Sequence, residues 1–213
     1  TKIMRIIIAT PSPFARKVRV ILREKNINFE ETIDIPWNSE TLTDGVNPLG
    51  KIPILINDNL EPLFDSKVIA QYLDHYKSKP LFYPKDLKEN ISARLVETVA
   101  DGICDAVVLI FLENSRTVAL RSKTWIRRQE KKIFEGVEYL SQHLDEKMYF
   151  VGNHFNIADV SGFSCLEYLD LRFPQFKWRN KYKNLLKYWN IHKDRESFKE
   201  TKPITQIIES LDN

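Results

Sequence analysis

Cysteine is nearly absent from this chain. Cys104 and Cys165 are the only two among 213 residues, too few for a disulfide framework and suited to a reducing compartment. No C-x-x-C pair occurs, and the four histidines (His75, His143, His154, His192) lack the spacing of metal ligands. No G-x-S-x-G elbow is present, so a hydrolase triad has no support. Charge of one sign is also lacking. Thirty-two Lys and Arg against 29 Asp and Glu leave +3, too small an excess to indicate nucleic acid. Long apolar runs are missing. The longest, Ala106 to Leu112, falls far short of the roughly 20 residues that span a bilayer. Met4 to Ala9 is apolar but is followed by no cleavage pattern. Secretion, membrane insertion and a zinc-finger fold are therefore not expected.

What is present divides the chain in two. Residues 1–79 read as a mixed α/β unit. Ile3–Ala9 is a β-branched buried strand, and a helix begins at Ser12 with Phe14, Val18, Ile21 and Leu22 on one face. Phe29–Ile35 alternates as a second strand. Ile52–Ile56 and Leu60–Phe64 form a hairpin with Asp58-Asn59 at its turn. Ser66 then caps a helix carrying Ile69, Tyr72, Leu73 and Tyr76. This β-α-β, β-β-α order is that of a thioredoxin-like domain. Residues 80–86, with Pro80 and Pro84, read as a linker. Residues 87–213 read as all-helical, with helices over 87–115, 122–144, 156–171 and 181–193.

Gly45-Val46-Asn47-Pro48-Leu49-Gly50-Lys51 fits G-x-x-x-x-G-K, but a phosphate loop needs Ser or Thr next and then a helix. Ile52-Pro53 follows instead and leads into a strand, so the nucleotide reading is set aside.

Three other segments carry chemistry. Ser12-Pro13-Phe14 places a hydroxyl and a proline at a helix start just past the first strand. Helix-terminal amides there favour an anion, and a hydroxyl adds one more donor. A bound thiol would be pushed toward thiolate. Lowering a thiol pKa by about two units takes roughly 2.7 kcal/mol, which a hydrogen bond to charge plus a helix terminus can supply. In Asn47–Pro53, a cis Pro53 would turn the Ile52 N–H and C=O outward to pair with an extended peptide. The alternative is a loop with two turn prolines. In Phe64-Asp65-Ser66, the Ser66 hydroxyl and adjacent amides suit a ligand carboxylate and Asp65 an ammonium, the charges of a γ-glutamyl group. The alternative is a plain helix cap.

Taken in this order, these segments resemble the glutathione S-transferase family, in its bacterial soluble branch. The resemblance runs through the whole chain, including Leu81-Phe82-Tyr83-Pro84 and Phe155-Asn156-Ile157-Ala158-Asp159-Val160. The last is similar to the family's capping box and hydrophobic staple, with Asn156 as N-cap, Asp159 reaching back from N3 and Phe155 packing on Val160. Pro53, Asn156 and Asp159 are accordingly structural. The resemblance implies that Ser12 donates to the glutathione sulfur, that Ile52 pairs through its backbone with the cysteinyl unit, and that Asp65 and Ser66 hold the γ-glutamyl end. Asn38 and Lys51 lie where relatives contact the glycyl end. Thr10 remains a second candidate for the activating hydroxyl. Relatives often carry Glu where Asp65 stands, and relatives with Cys at the Ser12 position perform disulfide chemistry that this chain lacks.

The implied activity is thiolate attack on a small hydrophobic electrophile or a peroxide, with glutathione as co-substrate and no metal or other cofactor. The electrophile is expected against the helical domain, Ile103–Phe111 supplying part of the wall unless those residues are simple core. Arg127 and Arg128 read as a solvated face. The family also implies a cytoplasmic homodimer, joined through residues of 65–76 and 87–115, with no nucleic-acid or membrane partner. Two other readings stay open: a binding or stress-response protein that keeps the fold without turnover and acts through a protein partner, and a thiol-disulfide reductase, which the missing cysteine disfavours.

Overall fold

The computed structural model describes residues 3–209. Its contacts divide the chain into two units, one comprising the residues up to Phe82 together with Arg195–Glu209, the other Tyr83–Asp194.

The first unit holds strands β1 (Met4–Ile8), β2 (Phe29–Ile33), β3 (Ile54–Ile56) and β4 (Pro62–Phe64), and helices α1 (Pro13–Glu24) and α2 (Ser66–Tyr76). Strand order is β2-β1-β3-β4. β1 and β2 are parallel, with Ile8 opposite Ile33. β3 runs antiparallel to β1 with Ile54 opposite Ile7, and β4 antiparallel to β3 with Phe64 opposite Ile54. The hairpin turn is organised by Asn57, whose side-chain oxygen accepts from the Asn59 and Glu61 amides at 3.0 and 2.9 Å. The strands are shorter than the sequence suggests, although pairing continues just past their ends, from the Asp34 amide to the Ile8 carbonyl and from the Asn57 amide to the Glu61 carbonyl.

Val18, Ile21, Leu22, Ile69 and Leu73 of the two helices are buried with Ile6, Ile8, Ile54 and Leu55 of the sheet. α1 departs from the half-buried helix its pattern predicts. Arg16, Lys17 and Arg19 are buried as well. Arg19 forks onto Glu31 of β2 at 2.9 and 3.1 Å, and Arg16 is covered by the return of the C-terminal segment to this unit, where the sequence places 87–213 in one helical block. Arg16 donates to Thr201 Oγ1 at 3.2 Å and to the Phe198 carbonyl at 2.9 Å, and Arg195 forks onto Glu24 at 2.6 and 2.8 Å. At the base of α1, buried Lys25 donates to the Lys77 and Pro80 carbonyls at 2.6 Å each and pairs with Asp74 at 2.8 Å. That anchors the segment leading out of α2. The returning chain contributes a short helix, α8 (Glu196–Glu200).

The second unit contains α3 (Leu87–Ser115), α4 (Lys123–Leu144), α5 (Ile157–Arg172), α6 (Trp178–Lys181) and α7 (Lys183–His192). α3 packs on both α4 and α5. α6 and α8 have four and five residues, too few for a periodicity to register in the sequence. Gly102 does not interrupt α3. Gly162 has a packing role instead. A Cβ there would lie 2.5 Å from the Phe150 ring, so only glycine lets that ring rest on α5. Among the described residues, no helix is long and apolar enough to cross a membrane.

Candidate active site

The topology of the sheet collects the sequence-predicted residues at one edge. β1 and β2 are parallel, so the segments leaving them, Ala9–Ser12 and Asp34–Asn38, emerge side by side; the Asp34 amide donates to the Ile8 carbonyl at 2.7 Å. β3 is antiparallel to β1, so its entry at Ile52-Pro53 lies at that edge, as does the exit of β4 into Asp65-Ser66. Four loops distant in sequence thus meet where α1 and α2 begin.

Ser12 is the N-cap of α1, with extended backbone (φ −68°, ψ 121°) and Pro13 at the first helical position. Its amide donates to the Ala9 carbonyl at 3.1 Å, and its Oγ accepts from the Ala15 amide at 3.1 Å. A hydroxyl has one proton and two lone pairs, so accepting the cap bond leaves the proton available to a ligand. The side chain is half-buried, and no acidic residue stands in the first turn to oppose an anion. Thr10 differs. Its Oγ1 donates to the Ile204 carbonyl at 2.8 Å, so its proton is engaged within the protein.

The Ile52–Pro53 peptide is cis. The loop before it is held by Asn47, a buried residue that the sequence reading left without a role of its own. Its amide side chain accepts from Leu49 N at 3.0 Å and donates to the Lys51 carbonyl at 2.8 Å. Gly50 takes a left-handed φ of 58° in the same turn. Lys51 is exposed and Ile52 half-buried. Asn followed two residues later by a turn is the signal that marks such side-chain–backbone loops.

At α2 the cap is Asp65, not Ser66. Asp65 Oδ1 accepts from the Lys67 amide at 2.8 Å, and Ser66 is the first helical residue. Asp65 has φ 64° and ψ 129°, a conformation that costs a non-glycine residue on the order of 1–3 kcal/mol. Ser66 is buried, and its amide is one of the first-turn donors that a helix cannot satisfy internally. Asn38 follows β2 in a turn closed by its own amide on the Ile35 carbonyl at 3.0 Å; its Oδ1 accepts from the Glu209 amide at 3.0 Å.

Two independent matches accompany this geometry. Residues 11–76 match the glutathione S-transferase N-terminal domain and residues 123–188 its C-terminal domain. The GST-like protein YibF of Escherichia coli is 32% identical over 94% of this chain and 98% of its own length. The chain belongs to the glutathione S-transferase family. Among solved structures, a glutathione S-transferase from Methylobacterium radiotolerans in complex with glutathione sulfonate is 38% identical, covers 98% of both chains and superposes with a TM-score of 0.95. One from Methylobacillus flagellatus with glutathione bound is 35% identical, covers 94% of this chain and all of its own, and has a TM-score of 0.91.

The helical unit of this transferase-family chain carries the second recognisable motif. Asn156 Oδ1 accepts from Ala158 N at 3.0 Å while Asp159 Oδ2 accepts from Asn156 N at 3.1 Å, a full capping box at the start of α5. Asp159 Oδ1 also receives the Phe150 amide and the Tyr188 hydroxyl, both at 3.0 Å. Ile103, Cys104, Ala106, Val107 and Ile110 are buried in the helical unit. Half-buried Phe111 carries the Arg172 guanidinium 4.1 Å above its ring. Arg127 and Arg128 are exposed, and both cysteines are buried and unbridged. A cavity of about 510 Å³ lined by Arg23, Asn26, Phe29 and Glu200 lies where α1 ends and β2 begins, the opposite end of the sheet from the candidate site.

Proposed function

We propose that this chain is a glutathione S-transferase in which Ser12 holds the glutathione sulfur as thiolate for attack on a small hydrophobic electrophile. The observation that carries the reading is the Ser12 hydroxyl. It caps α1 by accepting, so its proton remains to be given to sulfur. Thr10, the competing hydroxyl, already donates its hydrogen bond to the Ile204 carbonyl. Solved relatives described with glutathione or glutathione sulfonate bound support the choice of ligand.

In this reading the thiol proton leaves to solvent. The sulfur anion receives the Ser12 O–H and the field of the α1 terminus. The sulfur lone pair forms the new bond to the electrophilic carbon, and the leaving group departs with the electrons of the broken bond. Ile52 pairs with the cysteinyl backbone. Ser66 N–H and Oγ take the γ-glutamyl carboxylate, and the Asp65 carboxylate faces the ammonium. Asn38 and Lys51 serve the glycyl end. The strained backbone of Asp65 fits such a role, because sparsely populated conformations cluster at ligand clamps.

The protein acts as a homodimer in this reading. Leu87, Ile91 and Leu95 line one exposed face of α3 at 74%, 51% and 49% exposure, a stripe that a second copy would cover. Ile91→Asp then gives a species of monomer mass in gel filtration where the wild type gives twice that; a wild type already at monomer mass rejects the dimer. Two unbridged cysteines fit a cytoplasmic setting.

Calorimetric titration of reduced glutathione into wild type, Ser12→Ala and Ser66→Ala tests the function. Wild type binds, Ser66→Ala loses most affinity, and Ser12→Ala binds but loses the ultraviolet absorbance of the thiolate. A wild type that ignores millimolar glutathione ends the transferase reading.

A further inference from the structure

Residues 201–209, which follow α8, have no helix or strand, yet they are tied across the same sheet edge at every second or third residue. Thr201 anchors it, accepting from Arg16 Nε at 3.2 Å and donating to the Ser197 carbonyl at 2.7 Å. Ile204 then pairs with Thr10 in both directions, its amide to the Thr10 carbonyl at 3.3 Å and its carbonyl from Thr10 Oγ1 at 2.8 Å. Gln206 Nε2 donates to the Asp34 carbonyl at 3.3 Å. The Glu209 amide donates to Asn38 Oδ1 at 3.0 Å, and one Glu209 carboxylate oxygen receives both the Ser39 amide at 3.1 Å and the Ser39 hydroxyl at 3.0 Å. The tail therefore crosses the ends of β1 and β2, the side of the site where the glycyl end of glutathione was placed.

Two features distinguish this contact from ordinary packing. First, the Ser39 amide and hydroxyl converge on one carboxylate oxygen, the charge-assisted arrangement that a ligand carboxylate would take. Second, the tail buries little apolar surface: Ile204 is 63% and Ile207 92% exposed. A segment held by exposed hydrogen bonds with so little burial opens at low cost.

We infer that Ser39 is a carboxylate seat at the edge of the candidate site and that Glu209 occupies it as an internal stand-in, so that residues 206–209 form a strap, hinged at the Ile204–Thr10 pair, that is displaced when glutathione seats its glycyl carboxylate there. The inference rests on the glutathione reading above. The strap lowers apparent affinity by the fraction of time it is closed.

The test compares glutathione binding by the full chain, by a chain ending at Thr205, which keeps the Ile204–Thr10 pair, and by Glu209→Ala, which leaves the chain length intact. Both changes tighten binding by about three- to tenfold. Glutathione monoethyl ester, with its glycyl carboxylate blocked, gains nothing from either. Amide hydrogen exchange at Glu209 speeds up when glutathione saturates the full chain, while that at Ile204 does not. Equal affinity in all three proteins overturns the strap while leaving the transferase reading intact. Weaker binding by the shortened chain, or slower exchange on saturation, overturns it by making the tail a lid over bound ligand. An equal gain for the ester overturns the carboxylate seat. Failure of all three proteins to bind glutathione ends the glutathione reading, and the strap with it.

Discussion

Ser12 and Asn156 are the same local device in two settings. Each is a polar residue in extended backbone whose side-chain oxygen accepts an amide in the first turn of its helix. Around Asn156 nothing is left over. Its Nδ2 donates to the Val151 and His154 carbonyls at 2.7 and 3.0 Å, its amide is taken by Asp159, and both residues are fully buried. Ser12 is half-buried and leaves its hydroxyl proton unspent. An N-cap becomes a site when it carries one more hydrogen-bonding group than the helix consumes and water or ligand can reach it. A cap whose every group is consumed in the interior is architecture.

The largest effect that would break this contrast is expected at Asp159. Asp159→Ala leaves the Phe150 and Asn156 amides buried without this acceptor and takes from the Tyr188 hydroxyl its shorter contact, leaving the 3.4 Å one to the residue-159 carbonyl. At about 1–3 kcal/mol per abandoned group, partly relieved by relaxation, the loss is about 3–5 kcal/mol. Chemical denaturation measures it. Glutathione affinity of the fraction that remains folded stays unchanged. A stable Asp159→Ala protein with lost affinity would turn the architectural residue into a site residue.

Ser12→Ala is expected to do the reverse. The cap bond to Ala15 is lost for about 1 kcal/mol of stability. The bound thiol loses a larger share of its roughly 2.7 kcal/mol of thiolate stabilisation, so turnover with a model electrophile falls about 30- to 100-fold. Raising the pH restores part of that rate, because a thiol with a raised pKa ionises later. An activity loss no larger than the stability loss, with no change in pH profile, would reduce Ser12 to a cap like any other.

How much of this was legible in the sequence follows from the range of each signal. The β-α-β, β-β-α order, α3 over its full span and the Asn156-Asp159 box could be read because periodicity and capping are local. Strand pairing then does what no local signal can: the parallel β1–β2 and the two antiparallel pairs bring Ser12, Asn38, Ile52 and Ser66 to one edge. The burial of Arg16 and Arg19 was not legible, since their partners Thr201, Phe198 and Glu31 are set by the return of the tail and by sheet register. Nor was the exchange of roles at α2, where Asp65 caps and Ser66 becomes a first-turn donor; both residues suit either position, and backbone geometry decides.

A smaller effect sharpens the comparison through a second carboxylate. Asp159 is met by amides and a hydroxyl in the interior, whereas Glu31 is met by Arg19 at 2.9 and 3.1 Å and by Arg23 at 2.9 Å, nearer to water. Burial alone would raise the Glu31 pKa, but the hydrogen bond and charge of Arg19, and then of Arg23, hold it below the ordinary value. A lowered carboxylate stabilises the fold above its unfolded pKa and loses that contribution as pH falls through the folded one. Glu31→Gln is therefore less stable than wild type at neutral pH by about 1 kcal/mol, a figure kept small by solvent screening. The gap closes on acidification and shrinks in salt. A gap that persists in acid would mean that Glu31 acts through packing rather than charge.

The smallest expected effect is the most discriminating. Ser12→Thr keeps the oxygen that accepts from Ala15 and the hydroxyl proton proposed for the sulfur, at a cost of a few tenths of a kcal/mol for the difference between the two N-caps. Stability, thiolate absorbance and turnover should then stay near wild type. Asn156→Thr keeps a capping oxygen too, but it has a single proton for the two carbonyls, Val151 and His154, that Nδ2 now serves. With a buried acceptor abandoned, it loses about 1–3 kcal/mol. If the two threonine variants cost the same, the surplus hydrogen-bonding group is not what separates a site from a cap, and the argument for Ser12 reverts to its place in the family alone.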